Sequence, residues 1–310
     1  MGRRRDEAKR EKMLRNALFL TLAFCRSVQI CLGAEIAGVS TGEKERHFTA
    51  REVFDYGQNL IFQDDFGSER FEKWNFSEND NYRIAEVNAE RIKIVGAPGL
   101  GGGRKAVRFA VRRAPNSFRS EISLPSEKGF RERWYGERIL VPQDWVPDPN
   151  RGADIVMQWH AIPGNWKATY PNLAISIQNT NWVVAQSYGS AQSKPTRTRV
   201  KLDDAVQIGR WVAWVIHAKW SPGEDGLLRI WKDGKRVMDL VGPNVYSTIG
   251  VEYTPYLKTG IYHPEWHFNK EGAQDAFNKE SAVATNKVIY VTDVKIGGES
   301  AKYEDVAPGP

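Results

Sequence analysis

"WVAWVIHAKWSPGEDGLLRIWKDGKRVMDL", residues 211–240, is the stretch that decides the fold. Its opening, "WVAWVIHAKW" (211–220), is dense in β-branched and aromatic residues and reads as a strand. "LLRIWKD" (227–233) reads as another. "KDGK" (232–235) then separates "LLRIW" from "RVMDL". An Asp-Gly pair between two such runs signals a two-residue hairpin, because that turn needs positive φ at both central residues.

The same grammar holds along the chain. "RIKIV" (91–95), "AVRFAV" (106–111), "FRSEISL" (118–124), "WYGERILV" (134–141), "DIVMQWH" (154–160), "NLAISIQ" (172–178), "YLKTGIYH" (256–263) and "VIYVTDVKIG" (288–297) are short, apolar and bounded by Gly, Pro, Asn and Asp. No long segment carries a helical period, and there is no repeat or interdomain linker. Many evenly spaced strands in one unit predict an all-β protein, a jelly-roll β-sandwich of two antiparallel sheets with a concave substrate groove. The composition, 41% hydrophobic and 26% charged, is that of a globular chain. Eleven tryptophans serve either a core or flat ligand platforms.

The formal charge of +6 is misleading. Residues 1–34 hold eight Lys/Arg and three Asp/Glu, so the remainder carries 36 basic and 35 acidic residues, a net of +1. The basic pI therefore argues for no nucleic-acid partner. "ALFLTLAFC" (17–25) is too short to span a bilayer, and "CLGA" (31–34) supplies small residues for cleavage. Residues 1–34 read as a signal peptide whose start is expected at Met13. A polar segment (35–58) and one domain (59–310) follow. The protein is expected to be secreted or periplasmic, off the membrane after signal removal, and a monomer. Cys25 and Cys31 both lie in the leader, which leaves the mature chain no disulfide, CxxC zinc site or cysteine nucleophile.

Side chains alternate along a strand. In "FRSEISL", Phe118, Ser120, Ile122 and Leu124 point one way; Arg119 and Glu121 point the other. In "DIVMQWH", Ile155, Met157 and Trp159 form the apolar face, opposite Gln158 and His160. In "YLKTGIYH", Leu257, Thr259 and Ile261 face inward, while Tyr256, Lys258 and Tyr262 share the front with Gly260. If these three strands are neighbours, their fronts form one ionisable groove, in which Gly260 leaves room for a chain of sugars. Such a groove suits an acidic polysaccharide. Breaking a uronate polymer by β-elimination requires removal of the C5 proton, alpha to a carboxylate, so the carboxylate must be neutralised. Arg119 and Gln158 fit that task. A base and an acid are also required. Histidine titrates near 6.5 in model peptides, which suits His160 as the base. Tyr262 can protonate the leaving oxygen or, beside Lys258, act as the base itself.

In this order, "RSE", "QWH" and "YLKTGIY" resemble the R-x-E, Q-x-H and Y-x-K-x-G-x-Y signatures of jelly-roll polysaccharide lyases, the alginate and glucuronan lyases among them. "GRWVAWVIHAKWSPGEDGLLRIWKDGKRV" followed by "GPNVYS" is similar to the family that includes heparin lyase I. The resemblance runs from about Phe62 to Gly297. It implies a histidine and a tyrosine as base and acid, His160 and Tyr262, with Lys258 four residues before the tyrosine. It also implies Arg119 and Gln158 as carboxylate holders. Relatives of heparin lyase I use calcium, but no ligand set for it maps onto this chain, and the elimination requires no cofactor. The mature charge does not favour a heavily sulfated substrate.

Glu121, Tyr256, Trp266 and His217 are the further candidates for holding substrate. Glu121 either orients Arg119 or binds hydroxyls, Trp266 either stacks on a sugar or packs in the core, and His217 either packs or reaches the groove. "HPEWH" (263–267) is no zinc motif, because Pro264 opposes the helix that HExxH needs. "GAPGLGGG" (96–103) reads as a turn, and "KPTRTR" (194–199) as a basic loop able to steer a polyanion. A lectin-like binding sandwich is the competing reading. A jelly-roll glycoside hydrolase is a weaker one, since the paired-carboxylate strand it needs is absent.

Overall fold

The computed structural model describes residues 48–76, 91–113, 118–147, 152–160, 170–190, 194–247, 252–266 and 285–309. All belong to one unit, Arg46–Pro310. The leader, Met13 and both cysteines lie outside the described residues. Two large antiparallel sheets stack face to face. The back sheet runs from one edge to the other through Lys235–Val241, Leu227–Lys232, Trp211–Lys219, Glu132–Leu140, Asn286–Gly297, Lys105–Arg112 and Ile92–Gly96, with Leu60–Asp64 also pairing to Asn286–Gly297. The front sheet runs through Thr196–Ala205, Asn181–Ser190, Leu173–Gln178, Asp154–His160, Tyr256–Tyr262, Arg119–Ser123 and Asn75–Phe76. Six of these strands carry the functional argument. In chain order they are β1 (Arg119–Ser123), β2 (Asp154–His160), β3 (Leu173–Gln178), β4 (Asn181–Ser190), β5 (Thr196–Ala205) and β6 (Tyr256–Tyr262).

The hairpin expected at "KDGK" is present. Lys232 pairs with Lys235, and Asp233 and Gly234 both take positive φ, at 50° and 78°. "GAPGLGGG" is likewise the turn between Ile92–Gly96 and Lys105–Arg112. The tryptophans go mainly to the core: Trp74, Trp159, Trp182, Trp214, Trp220 and Trp266 are each at most 2% exposed. Two edge-to-face contacts tie the sheets together, Trp182 on Trp214 at 5.2 Å and Tyr135 on Trp159 at 5.1 Å. Trp220 Nε1 donates to the Tyr135 hydroxyl at 3.0 Å, so the indole and the phenol satisfy each other inside the core. Within the stretch 35–58, Thr49 and Glu52 bond across the first turn of a short helix, Ala50–Val53, and Val53 and Phe54 enter the core cluster.

Strict alternation fails within the front face. The register of β2 shifts against β3 between Ile155 and Met157, and β6 shifts against β2 between Thr259 and Tyr262. Val156 and Met157 are consecutive yet both buried, at 0% and 1% exposure, while Ile155 is only partly buried. The irregularity corrects the expectation that Ile155 shares the apolar face with Met157.

Candidate active site

β6 lies between β1 and β2, so the three ionisable fronts are neighbours. Tyr262 sits opposite Arg119 and Gly260 opposite Glu121 on the β1 side. On the β2 side Lys258 is opposite Gln158 and Tyr256 is opposite His160. The apolar backs of the same strands, Ile122, Trp159, Leu257 and Ile261, lie in the core. Packing of the backs therefore fixes which side chains stand on the front.

Glu121 organises this face. It is 4% exposed, and its Oε1 accepts a hydrogen bond from Gln158 Nε2. Its Oε2 lies 3.1 Å from Arg119 Nε. The carboxylate thus holds both carboxylate-binding candidates in place and is itself covered. These contacts favour the first of its two readings, orientation of Arg119, over a contact with sugar hydroxyls. The Arg119 guanidinium lies 4.1 Å above the Tyr262 ring, within cation–π range. Beyond Tyr262, Phe118 closes the cluster with its ring centroid at 6.0 Å.

At the other end of β6, the His160 and Tyr256 rings are 6.3 Å apart, and Lys258 Nζ is 5.5 Å from the Tyr256 ring. Burial, reinforced by the Glu121 carboxylate and opposed by Arg119, pushes the Tyr256 phenol up to about 12. Tyr256 is therefore a neutral donor near neutral pH. Gln158 and Lys258 are themselves buried, at 2% and 4% exposure. Charges so screened from water interact more strongly than charges on an open surface. The face can neutralise a carboxylate at Arg119 and Gln158, and it has imidazole and phenol groups for moving protons.

Two candidates lie elsewhere. His217 is in the back sheet, paired with Trp134 and Arg229. Its neighbours Ile216 and Ala218 fill the core, so alternation turns His217 to the far side of the sandwich. There it stacks on Trp134 at 3.8 Å, and its Nε2 lies 2.7 Å from Glu132 Oε1. Trp266 is 1% exposed, belongs to the core cluster and packs on His263 at 4.4 Å. It offers no platform for a sugar. His263 faces away from the front, as alternation predicts, and bonds Asp154 Oδ1 through Nδ1 at 2.8 Å. Gly260 is also required by the backbone itself. Its φ is 135°, and a Cβ there would lie 2.3 Å from the Ser120 carbonyl oxygen, so a side chain would push β1 and β6 apart.

One further group stands behind this face. Glu137 lies between the sheets and accepts a hydrogen bond from the Thr259 hydroxyl at 3.1 Å, directly behind the working strand. The signal was available, because in "WYGERILV" Glu137 shares its face with Tyr135 and Ile139, both core residues. Among the described residues there is no group of three or more His, Cys, Asp or Glu that could hold a metal ion.

Fold and face together define a jelly-roll sandwich whose front sheet carries guanidinium, ammonium, imidazole and phenol groups. The chain belongs to the polysaccharide lyase family, whose model matches residues 70–295. It is therefore a polysaccharide lyase. Among solved structures it is similar to the endo-β-1,4-glucuronan lyase of the fungus Trichoderma reesei, with a TM-score of 0.61 and 19% identity over 80% of this chain and 98% of that one. The cellulose-induced protein Cip1 gives a TM-score of 0.47 and 12% identity, over 76% and 96% of the two chains. The alginate lyase Aly36B gives 0.39 and 11%, over 64% and 82%. At these identities the likeness concerns the fold alone. No curated protein sequence matches the chain.

Proposed function

We propose that this lyase cleaves a glucuronate-containing polysaccharide by β-elimination, with the front face of β1, β6 and β2 as its active site. The observation that carries the reading is the register that sets Arg119 beside Tyr262, Lys258 beside Gln158 and His160 beside Tyr256. Arg119 and Gln158 hold the uronate carboxylate and stabilise the charge that moves onto it as the C5 proton leaves. A base on the same face takes that proton. The electron pair then forms the C4=C5 double bond, the C4–O bond breaks, and an acid protonates the departing oxygen. His160 and Tyr262 are the proton carriers. The guanidinium over its ring, at 4.1 Å, fixes the position of Tyr262 beside the carboxylate site. Lys258 adds positive charge between the two ends of the face, and Tyr256 serves as a neutral hydrogen-bond donor. Side chains carry every step, so the reaction requires neither a metal nor an organic cofactor. Glucuronan is the leading substrate, supported by the similarity of fold to the fungal glucuronan lyase. The apolar run at 17–25 supports secretion or periplasmic export.

The test is the ultraviolet absorbance of the mature protein incubated with glucuronan, alginate, pectate and glycosaminoglycans, with and without chelator. Glucuronan is expected to give a rising signal from the conjugated unsaturated uronate, unaffected by chelator. Release of reducing ends without absorbance would mean hydrolysis and sink the reading. Tyr262→Phe is expected to lower kcat by about 10²-fold or more, with polymer binding retained. Tyr256→Phe is expected to act mainly on KM. If instead Tyr256→Phe abolishes turnover and Tyr262→Phe does not, the proton-transfer role passes to Tyr256.

A further inference from the structure

The front sheet continues beyond β2 through β3 and β4 to its edge strand, β5. One row of residues crosses it without interruption. Lys258 is opposite Gln158, Gln158 opposite Ala174, Ala174 opposite Ala185, and Ala185 opposite Arg199. The flanking rows end the same way, with Arg197 opposite Ser187 and Lys201 opposite Val183. Four strand spacings of about 4.8 Å put Arg199 about 19 Å from Lys258. The side chains between them, Ala174, Ser176, Val183, Ala185 and Ser187, are all short and sit low in the face, each at most 7% exposed.

The basic residues stand on the same face as the active site. Leu202 is buried and Val200 packs on the core, so alternation turns Arg197, Arg199 and Lys201 outward, where all three are exposed. Arg199 Nη2 donates to Gln178 Oε1 at 3.0 Å, and Gln178 alternates onto that face from Ile177 in the core. The Arg197 guanidinium lies 4.1 Å over the ring of Tyr170, which is 50% exposed. An edge strand benefits from charge of either sign, which deters pairing with another chain. That purpose does not account for three cations in alternate positions on the active-site face; the acids Asp203 and Asp204 follow them, where the register of β5 against β4 shifts. Nor does overall charge, since the chain beyond residue 34 is nearly neutral.

We propose that Arg197, Arg199 and Lys201 form a carboxylate-binding edge, which holds distal uronates of a long chain lying across the strands from the active site. This inference rests on the polyuronate reading above and extends it to substrate length. Exposed charges contribute modestly and are screened by salt. They bind ground state and transition state alike, so their effect falls on KM.

The experiment compares wild type with the triple variant R197Q/R199Q/K201Q on glucuronan and on its trimer, which is too short to cross the lane. For the polymer, KM is expected to rise about tenfold with kcat unchanged, and the salt dependence of KM is expected to flatten. Trimer kinetics are expected to stay the same. An unchanged polymer KM in an active enzyme overturns the edge and leaves the lyase reading standing. Affinity electrophoresis through gels containing glucuronan or alginate reads binding without turnover. Retardation lost in the variant supports the edge even if the wild type makes no unsaturated product, in which case the elimination reading alone falls. Equal retardation of both proteins, or of neither, overturns the edge.

Discussion

Glu137 lies inside the sandwich, and burial, eased only by the Thr259 hydroxyl, pushes its carboxyl from 4.5 up to about 8. Its Oε2 has no hydrogen-bond partner. An acid raised in this way keeps its proton in the folded state after the unfolded chain has lost its own. Its stabilising effect is full below pH 4.5 and drains away as pH rises towards 8, above which the difference is constant. Wild type is therefore expected to lose stability, by an amount of order several kcal/mol, between these limits. Glu137→Gln, neutral and nearly isosteric, is expected to flatten that slope in urea unfolding series measured from pH 4.5 to 8.5. A slope unchanged in the variant would assign the pH dependence to other groups. Glu137 was legible in the sequence only as a misplaced charge on an apolar face. Arg119, Gln158, His160, Lys258 and Tyr262 were legible because each sits opposite an apolar back. The burial of Trp266 and the covering of Glu121 were not, since both depend on contacts made after the chain folds.

Among the strands of the front face, β6 carries a backbone constraint that bears directly on the site. Gly260 combines a φ of 135° with a phantom Cβ 2.3 Å from the Ser120 carbonyl and 2.7 Å from the Glu121 Cα. Gly260→Ala is expected to cost about 2–4 kcal/mol, seen as a lower denaturation midpoint. It is also expected to lower kcat, because displacing β1 moves Arg119 and the Glu121 that holds Gln158. A variant that lost stability but kept full activity would show that this strand spacing leaves the site unaffected. The strands themselves were readable from alternation and turn chemistry, the Asp233-Gly234 hairpin most directly. Their order was not, because Tyr262 meets Arg119 across a long stretch of intervening chain and no local pattern encodes that pairing. The shift of β2 at Ile155–Met157 escaped for a related reason: three consecutive apolar residues give no sign of where alternation breaks.

At the scale of the molecule, the front sheet works because the back sheet supports it. Trp182 behind the front sheet meets Trp214 of the back sheet edge to face, and Trp159, between Gln158 and His160 in β2, meets Tyr135. The second contact lies directly behind the active site; the first lies under β4, on the side towards the basic edge. Trp214→Ala leaves a large buried cavity and is expected to cost about 3–5 kcal/mol, read as a lower urea midpoint. The two ends of the front face are expected to respond differently. Below the unfolding transition, kcat on short oligomers should persist, because Trp159 and Tyr135 still support β2. KM for the long polymer should rise, because β4 has lost its packing partner and β5 hangs on β4. Equal loss on short and long substrates would mean that the front sheet responds as one rigid body, with no separate support for its catalytic and binding ends.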